Sequence, residues 1–186
     1  MAVKNKDESC KRQQSKVSLP LLHTKWGLFP ITVLTFSLVF LVSSTIPVER
    51  SLAEDIVASL EESTSLSMLE VFEYGLLSSL IMMIPIFGFI FSMFLSSVNG
   101  MAASAISVIT NSNPLDIAVN YISNTGVILE FLAFGLASAQ GLAGFFAIVE
   151  KRVRRELKEY LITVLIVIGL LLAAISLEVF QTTVYP

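Results

Sequence analysis

Long uninterrupted apolar runs dominate the chain. Three are evident directly, at 26–46, 74–94 and 160–180, and each is near the roughly 20 residues that a helix needs to cross a hydrocarbon core. A fourth run, 122–149, is longer than one crossing requires. The pattern predicts an all-α fold, a polytopic transmembrane helical bundle.

The composition also indicates a lipid environment. Of 186 residues, 54% are hydrophobic and 15% are charged, with a mean hydropathy of +0.78, which lies outside the range usual for soluble domains. The single cysteine, Cys10, allows no disulfide within the chain. We expect the lipid bilayer to be a partner, and we expect no cofactor, no metal site and no nucleic acid.

Basic residues are segregated along the sequence. Eleven of the twelve lysines and arginines either precede the first apolar run or form a cluster before the last run, comprising Lys151, Arg152, Arg154, Arg155 and Lys158. Segment 47–73 carries one base, Arg50, among seven acidic residues. Because Lys and Arg collect on the cytoplasmic side of membrane proteins, we expect a multi-pass protein of the cell membrane. Its amino terminus would be cytoplasmic, its carboxyl terminus extracytoplasmic, and the basic cluster an anchor at the inner interface.

The same pattern predicts the domain organisation. Residues 1–20 are polar and basic with almost no aromatic groups, a composition typical of a disordered tail. Residues 21–186 are expected to form a single transmembrane helical domain, with an extracytoplasmic acidic loop at 47–73.

An even number of crossings must separate two cytoplasmic segments, so the three runs before Lys151 require one hidden crossing. The turn signal Asn99-Gly100 places it at 98–113, as a short segment. The alternative is a hairpin within 122–149. Pro85 is expected to kink the second run, because proline removes one helical hydrogen bond. The expected total is about five helices, including one short or broken segment.

Polar and small residues within the apolar runs are the candidate functional positions. Four polar residues are expected at membrane depth, where such groups are costly: Asn99, Asn124, Glu130 and Gln140. Small residues allow close contact between helices in lipid, and the predicted packing positions are Gly126, Gly135, Ala139, Gly141, Ala143 and Gly144.

Two groups of residues carry a resemblance to a known family: the pair Asn99-Gly100, and the series Gly126, Glu130, Ala133 and Gly144. In these features the chain resembles the stage II sporulation protein M family of membrane proteins, from the first apolar run to the last. The resemblance implies a non-catalytic membrane scaffold, because the sporulation members are thought to hold cell-wall hydrolases at the membrane.

The residues of the chain bear on three classes of function. With one histidine, one cysteine and no metalloprotease or phosphate-binding motif, the chain is not expected to be an enzyme and has no candidate catalytic residue. We favour a scaffold or accessory subunit that packs against other integral membrane protein subunits and stabilises a larger complex. The alternative is a component of a small-solute or ion transporter or channel, which would act as a homo-oligomer.

Overall fold

The computed structural model describes residues 24–64 and 67–184. Over these residues the chain forms seven helices: α1 (Lys25–Ser44), α2 (Arg50–Thr64), α3 (Met68–Met82), α4 (Phe87–Thr110), α5 (Pro114–Ser123), α6 (Thr125–Val149) and α7 (Val153–Val184). No strand is present in this part of the chain, so the predicted all-α helical bundle is confirmed. The predicted disordered tail, 1–20, lies outside the described residues.

Four helical segments in the described ranges are long and apolar enough to cross a membrane: α1, α4, α6 and the Glu156–Glu178 part of α7. The chain is therefore a multi-pass membrane protein by the length and composition of its helices. The expected count of about five helices was too low, since α2 and α5 are additional helices between the long ones. Helix α3, with 15 residues, is shorter than each of the four long helices.

Side-chain caps explain where several helices begin. Thr24 accepts a hydrogen bond from the backbone N–H of Gly27 at the start of α1. At the start of α3, Ser67 and Glu70 form a capping box, in which each side chain accepts a hydrogen bond from the other residue's backbone N–H. Asn113 caps α5 in the same way as Thr24 caps α1.

The predicted kink at Pro85 is a complete break between two helices. Helix α3 ends at Met82 and α4 begins at Phe87. Between them, the N–H of Phe87 donates to the carbonyl of Pro85 at 2.7 Å, around Ile86 at φ 65°, which is the geometry of a γ-turn. Proline has no N–H to continue the helical hydrogen bonds. Helix α3 therefore ends before Pro85, and the chain reverses its direction through the turn at Ile86.

The turn predicted at Asn99-Gly100 is absent, because both residues lie inside the continuous helix α4. A methyl group at Gly100 would collide with the carbonyl oxygen of Phe40 in α1. This glycine therefore permits close helix packing and does not reverse the chain. Segment 98–113 is consequently not a separate crossing, and the alternative hairpin within 122–149 is also wrong, since α6 is unbroken.

Contacts between helices define their relative directions. Helices α1 and α4 are parallel, because Ser96 donates to the carbonyl of Phe36 and Ser104 donates to that of Ile46. Helix α6 is antiparallel to α1, since Thr32 donates to the carbonyl of Gly135 while Leu28 packs against residues further along α6.

Helix α7 is in turn antiparallel to both α6 and α3. It contacts Gly144 at Tyr160 and Gly126 at Glu178, and it contacts Gly75 of α3 at Leu171. The five helices α1, α3, α4, α6 and α7 thus alternate in direction. The start of α1, the 83–86 break and the α6–α7 connection lie together, at what we call the Lys25 end.

Aromatic side chains fill the middle of the bundle. Phe36 and Phe40 of α1 are 1% and 0% exposed, and the ring of Phe131 in α6 lies 4.9 Å and 5.7 Å from their rings. Val167 and Leu171 of α7 belong to the same core. At the other end of the bundle, Ala53 of α2 packs against Ala105 of α4.

Candidate functional site

A buried cluster of polar side chains joins three helices at the Lys25 end. Lys25 from α1 is 4% exposed, and Gln140 from α6 and Thr163 from α7 are both fully buried. Glu156 and Glu159, from the first turns of α7, complete the cluster. We call these five residues the Lys25 cluster.

The Lys25 ammonium group has three oxygen partners. It donates to the Thr163 hydroxyl at 2.9 Å and to the Glu159 carbonyl at 3.2 Å, and it pairs with the Glu159 carboxylate at 2.8 Å. A lysine ammonium has three protons to donate, so this geometry satisfies the charge without a further ligand. The amine also lies 5.3 Å from the centre of the Trp26 ring, within cation–π range.

Gln140 connects the cluster to α6. Its Oε1 accepts from the Thr163 hydroxyl at 2.9 Å, and its Nε2 donates to the Glu156 carboxylate at 3.3 Å. Every buried side-chain nitrogen and oxygen in the described residues has a hydrogen-bond partner. Because an unpaired polar group at this depth would be costly, the cluster fixes the relative positions of α1, α6 and α7.

Of this cluster, only Gln140 is predicted from the sequence as an intramembrane polar residue. Lys25 precedes the first apolar run in the sequence, but in the structure it is the first residue of α1. Glu156, Glu159 and Thr163 are spaced three and four residues apart, which places them on one helix face. That spacing at the start of an apolar helix was the available signal for a polar face directed into the bundle.

The other predicted intramembrane polar residues do not meet one another. Asn124 caps α6, where its side chain accepts from the Gly126 N–H at 2.9 Å. Asn99 lines an open groove of about 480 Å³ between α4 and α2. Glu130 lies on the same face of α6 as Gly126, four residues later, and interacts electrostatically with Glu178 of α7.

Tyr121 of α5 lies beside these two carboxyl groups. Burial, together with the nearby charges of Glu130 and Glu178, raises the pKa of the Tyr121 phenol to about 12. The phenol therefore stays protonated at neutral pH. Its ring stacks on Phe40 at 5.5 Å, so α5 closes the bundle over the end of α1.

The small residues predicted for packing lie where α6 approaches its neighbours most closely. A Cβ atom at Gly135 would collide with Val33 of α1, one at Gly144 would collide with Tyr160 of α7, and one at Gly126 would lie 2.8 Å from Glu178 of α7. A Cβ atom at Gly141 would lie 2.5 Å from the carbonyl oxygen of Met82 in α3. Ala139 and Ala143 pack with Leu28 of α1. The partners of these residues are therefore helices of the same chain.

The predicted basic anchor surrounds the α6–α7 connection at the Lys25 end. Lys151 has φ 58° and ends α6, in a motif where the Arg152 N–H donates to the Ala147 carbonyl at 2.8 Å. Arg152 also pairs with Glu150. Arg154, Arg155 and Lys158 follow in the first two turns of α7.

An open cavity of about 570 Å³ lies beside this connection, and we call it the inner groove. Its walls come from the 83–86 break, the last turns of α6 and the first turns of α7. Comparison with known proteins gave no match to any family model, curated protein or solved structure.

Proposed function

We propose that this chain is a non-catalytic scaffold or accessory subunit of a larger membrane-protein complex. The observation that supports the proposal is the aromatic core in the middle of the bundle. Phe36, Phe40 and Phe131 form contiguous ring contacts between the Lys25 cluster at one end and the Glu130–Glu178 pair at the other.

A transport pathway through a single chain needs polar groups or water across the whole membrane. Here the polar residues of the Lys25 cluster bond to one another, and buried hydroxyls nearer the middle of the bundle, such as those of Thr32 and Ser96, donate to backbone carbonyls of neighbouring helices. Small residues at close helix contacts, such as Gly100 and Gly135, serve packing. These features favour a structural role, as does the resemblance of the sequence to the stage II sporulation protein M family.

The outer face of α7 is the surface we assign to a partner helix. Only 22% of its apolar segment is buried within the chain, against 33% for α1, 33% for α4 and 67% for α6. Leu161, Leu165 and Leu172 are 63%, 70% and 51% exposed on this helix. In lipid, helices associate through van der Waals packing, and the exposed apolar side chains of α7 provide a surface for such packing.

The charge distribution also supports an orientation. Under this proposal the Lys25 end faces the cytoplasm of the cell membrane, because it holds Lys25 and the basic connection between α6 and α7. The carboxyl end of α7 then lies on the extracytoplasmic side, together with α2.

Copurification in mild detergent followed by mass spectrometry tests the proposal. We expect a stoichiometric integral membrane partner with the parent chain. Replacement of Leu165 by Trp should reduce the recovered partner several-fold, because the larger side chain disturbs the α7 face. Leu34→Trp is the matched control, since Leu34 is 61% exposed on α1.

Flux measurements on the purified chain in liposomes test the alternative. Selective, saturable solute flux by the chain alone, as a stable homo-oligomer, would show that it is a transporter or channel component. A parent chain that copurifies with no other membrane protein would also overturn the scaffold proposal. Equal partner recovery with the two Trp variants would show that α7 is not the contact face.

A further inference from the structure

The inner groove is an apolar slot that opens on the membrane-facing surface. Ile148, Val153 and Leu157 line it and are 53%, 55% and 66% exposed. Pro85 and Tyr160 form its inner wall. Its volume of about 570 Å³ lies within the roughly 300–1,000 Å³ typical of ligand sites.

Two of the polar groups on the groove wall are bonded to the protein. The Tyr160 hydroxyl donates to the carbonyl of Met83 at 2.6 Å, and the Glu156 carboxylate accepts from the Gln140 amide. Arg154 also lines the groove and is exposed. Its guanidinium group is thus the cationic element of the site, and a guanidinium can bind a phosphate through two parallel hydrogen bonds.

The connection next to the groove adds further positive charge. Lys151, Arg152 and Lys158 are exposed there, and segment 150–159 contains five basic and three acidic residues. Basic pockets between transmembrane helices at the membrane surface are suited to anionic lipid head groups. The groove thus combines an apolar slot with an excess of positive charge at its mouth.

We propose that the inner groove binds an anionic phospholipid. An acyl chain lies along Ile148, Val153 and Leu157, and the lipid phosphate lies beside Arg154. This occupant matches the site because its apolar and anionic parts are joined at one interface, as they are in the groove. The inference does not depend on the scaffold proposal, since every wall of the groove belongs to this chain.

Native mass spectrometry of the delipidated full-length chain tests the site. With phosphatidylglycerol and phosphatidylcholine supplied in equal amounts, we expect phosphatidylglycerol to be retained preferentially. Arg154→Gln should weaken that retention about five-fold, the effect of one basic residue near a membrane surface. Arg50→Gln is the control for charge, because Arg50 lies on α2, away from the groove, and is exposed. Equal retention by both variants would overturn the site.

A second pair of variants tests the acyl-chain slot. Leu157→Trp should fill the groove and reduce lipid retention, whereas Leu161→Trp, one turn later and 63% exposed, should not. Inorganic phosphate alone should not displace the lipid, since it lacks the acyl chain. Displacement by phosphate would assign the site to a free anion. Loss of a copurified protein with Leu157→Trp, at unchanged lipid retention, would assign the groove to a partner helix.

Discussion

Lys25 is a charged residue in an environment that would strongly disfavour an unpaired charge. Its three oxygen partners come from one helix, α7, so the ammonium group links the first helix of the bundle to the last. Lys25 is 4% and Glu159 41% exposed, so removal of the Glu159 carboxylate would leave a buried ammonium group without its counter-charge.

Replacing Lys25 with Met should therefore destabilise the bundle. We expect a loss of about 1.5–3 kcal/mol, the usual range for hydrogen bonds to charged groups, since Glu159 is partly exposed and regains solvent. Unfolding by denaturing detergent, followed by circular dichroism, measures this loss. Arg50→Met provides the control because its pair with Glu54 is 74% and 61% exposed, and such pairs contribute about 0–1 kcal/mol. Equal losses in the two variants would contradict a clamping role for Lys25.

Two helical glycines provide a second residue-scale test with a matched control. Gly100 faces the backbone of α1, whereas a Cβ atom at Gly169 of α7 would meet nothing within 4 Å. Gly100→Ala should cost about 1–3 kcal/mol through overpacking. Gly169→Ala should raise stability by about 0.5–1 kcal/mol, because alanine is the better helix former. The same unfolding assay measures both changes. An unchanged stability of Gly100→Ala would contradict the role of Gly100 in the close packing of α4 on α1.

At the scale of the elements, the reversal between α3 and α4 sets the direction in which each later helix crosses the bundle. It occurs in four residues, 83–86, and includes a β-branched residue at positive φ. Such a conformation persists only where surrounding contacts impose it. Tyr160 holds the reversal in place through its hydrogen bond to the Met83 carbonyl.

Ile86→Gly should relieve this backbone strain. Ile86 is 49% exposed, so little packing is lost, and glycine adopts positive φ without a steric cost. We expect a gain of about 1 kcal/mol, measured as a higher midpoint of unfolding. Ile84→Gly is the comparison: Ile84 is 47% exposed and is absent from the positive-φ residues of the described chain. We expect Ile84→Gly to lower stability, and a similar loss for Ile86→Gly would argue against a strained γ-turn.

At the scale of the whole molecule, the alternating helices place the 83–86 break and the basic connection at the same end. Single cysteines introduced into a Cys10→Ser chain test this arrangement with an impermeant reagent. Cysteines at Ile84 and Lys158 should be labelled from one side, and a cysteine at Ser112 should be labelled from the other.

A cysteine at Ser97 distinguishes the continuous helix α4 from a chain that turns at Asn99-Gly100. In the structure Ser97 is inside α4 and its hydroxyl lies 3.0 Å from that of Ser43, so we expect no labelling from either side. A turn at Asn99-Gly100 would bring position 97 near the surface. Labelling of Ser97→Cys together with Lys158→Cys would therefore favour that turn and contradict the continuous helix.

Several features of the fold follow from local sequence alone. Apolar runs of about 20 residues require helices in lipid, because every backbone group must bond within its own segment. The capping box at Ser67 and Glu70 begins α3 for an equally local reason. The uneven distribution of basic residues predicts the orientation in the membrane, and the small residues of α6 predict close packing without naming the partner helix.

The remaining features depend on contacts between residues far apart in sequence. Gly100 is a turn signal locally, but the approach of α1 makes it a packing residue within α4. By sequence Lys25 is one of the basic residues that precede the first apolar run, and only the parallel placement of α1 and α7 brings it to Thr163, 138 residues later. The physical reason is the same in both cases. In lipid, close backbone contact and the pairing of polar groups supply the specific energy of helix association, and both are properties of pairs of helices.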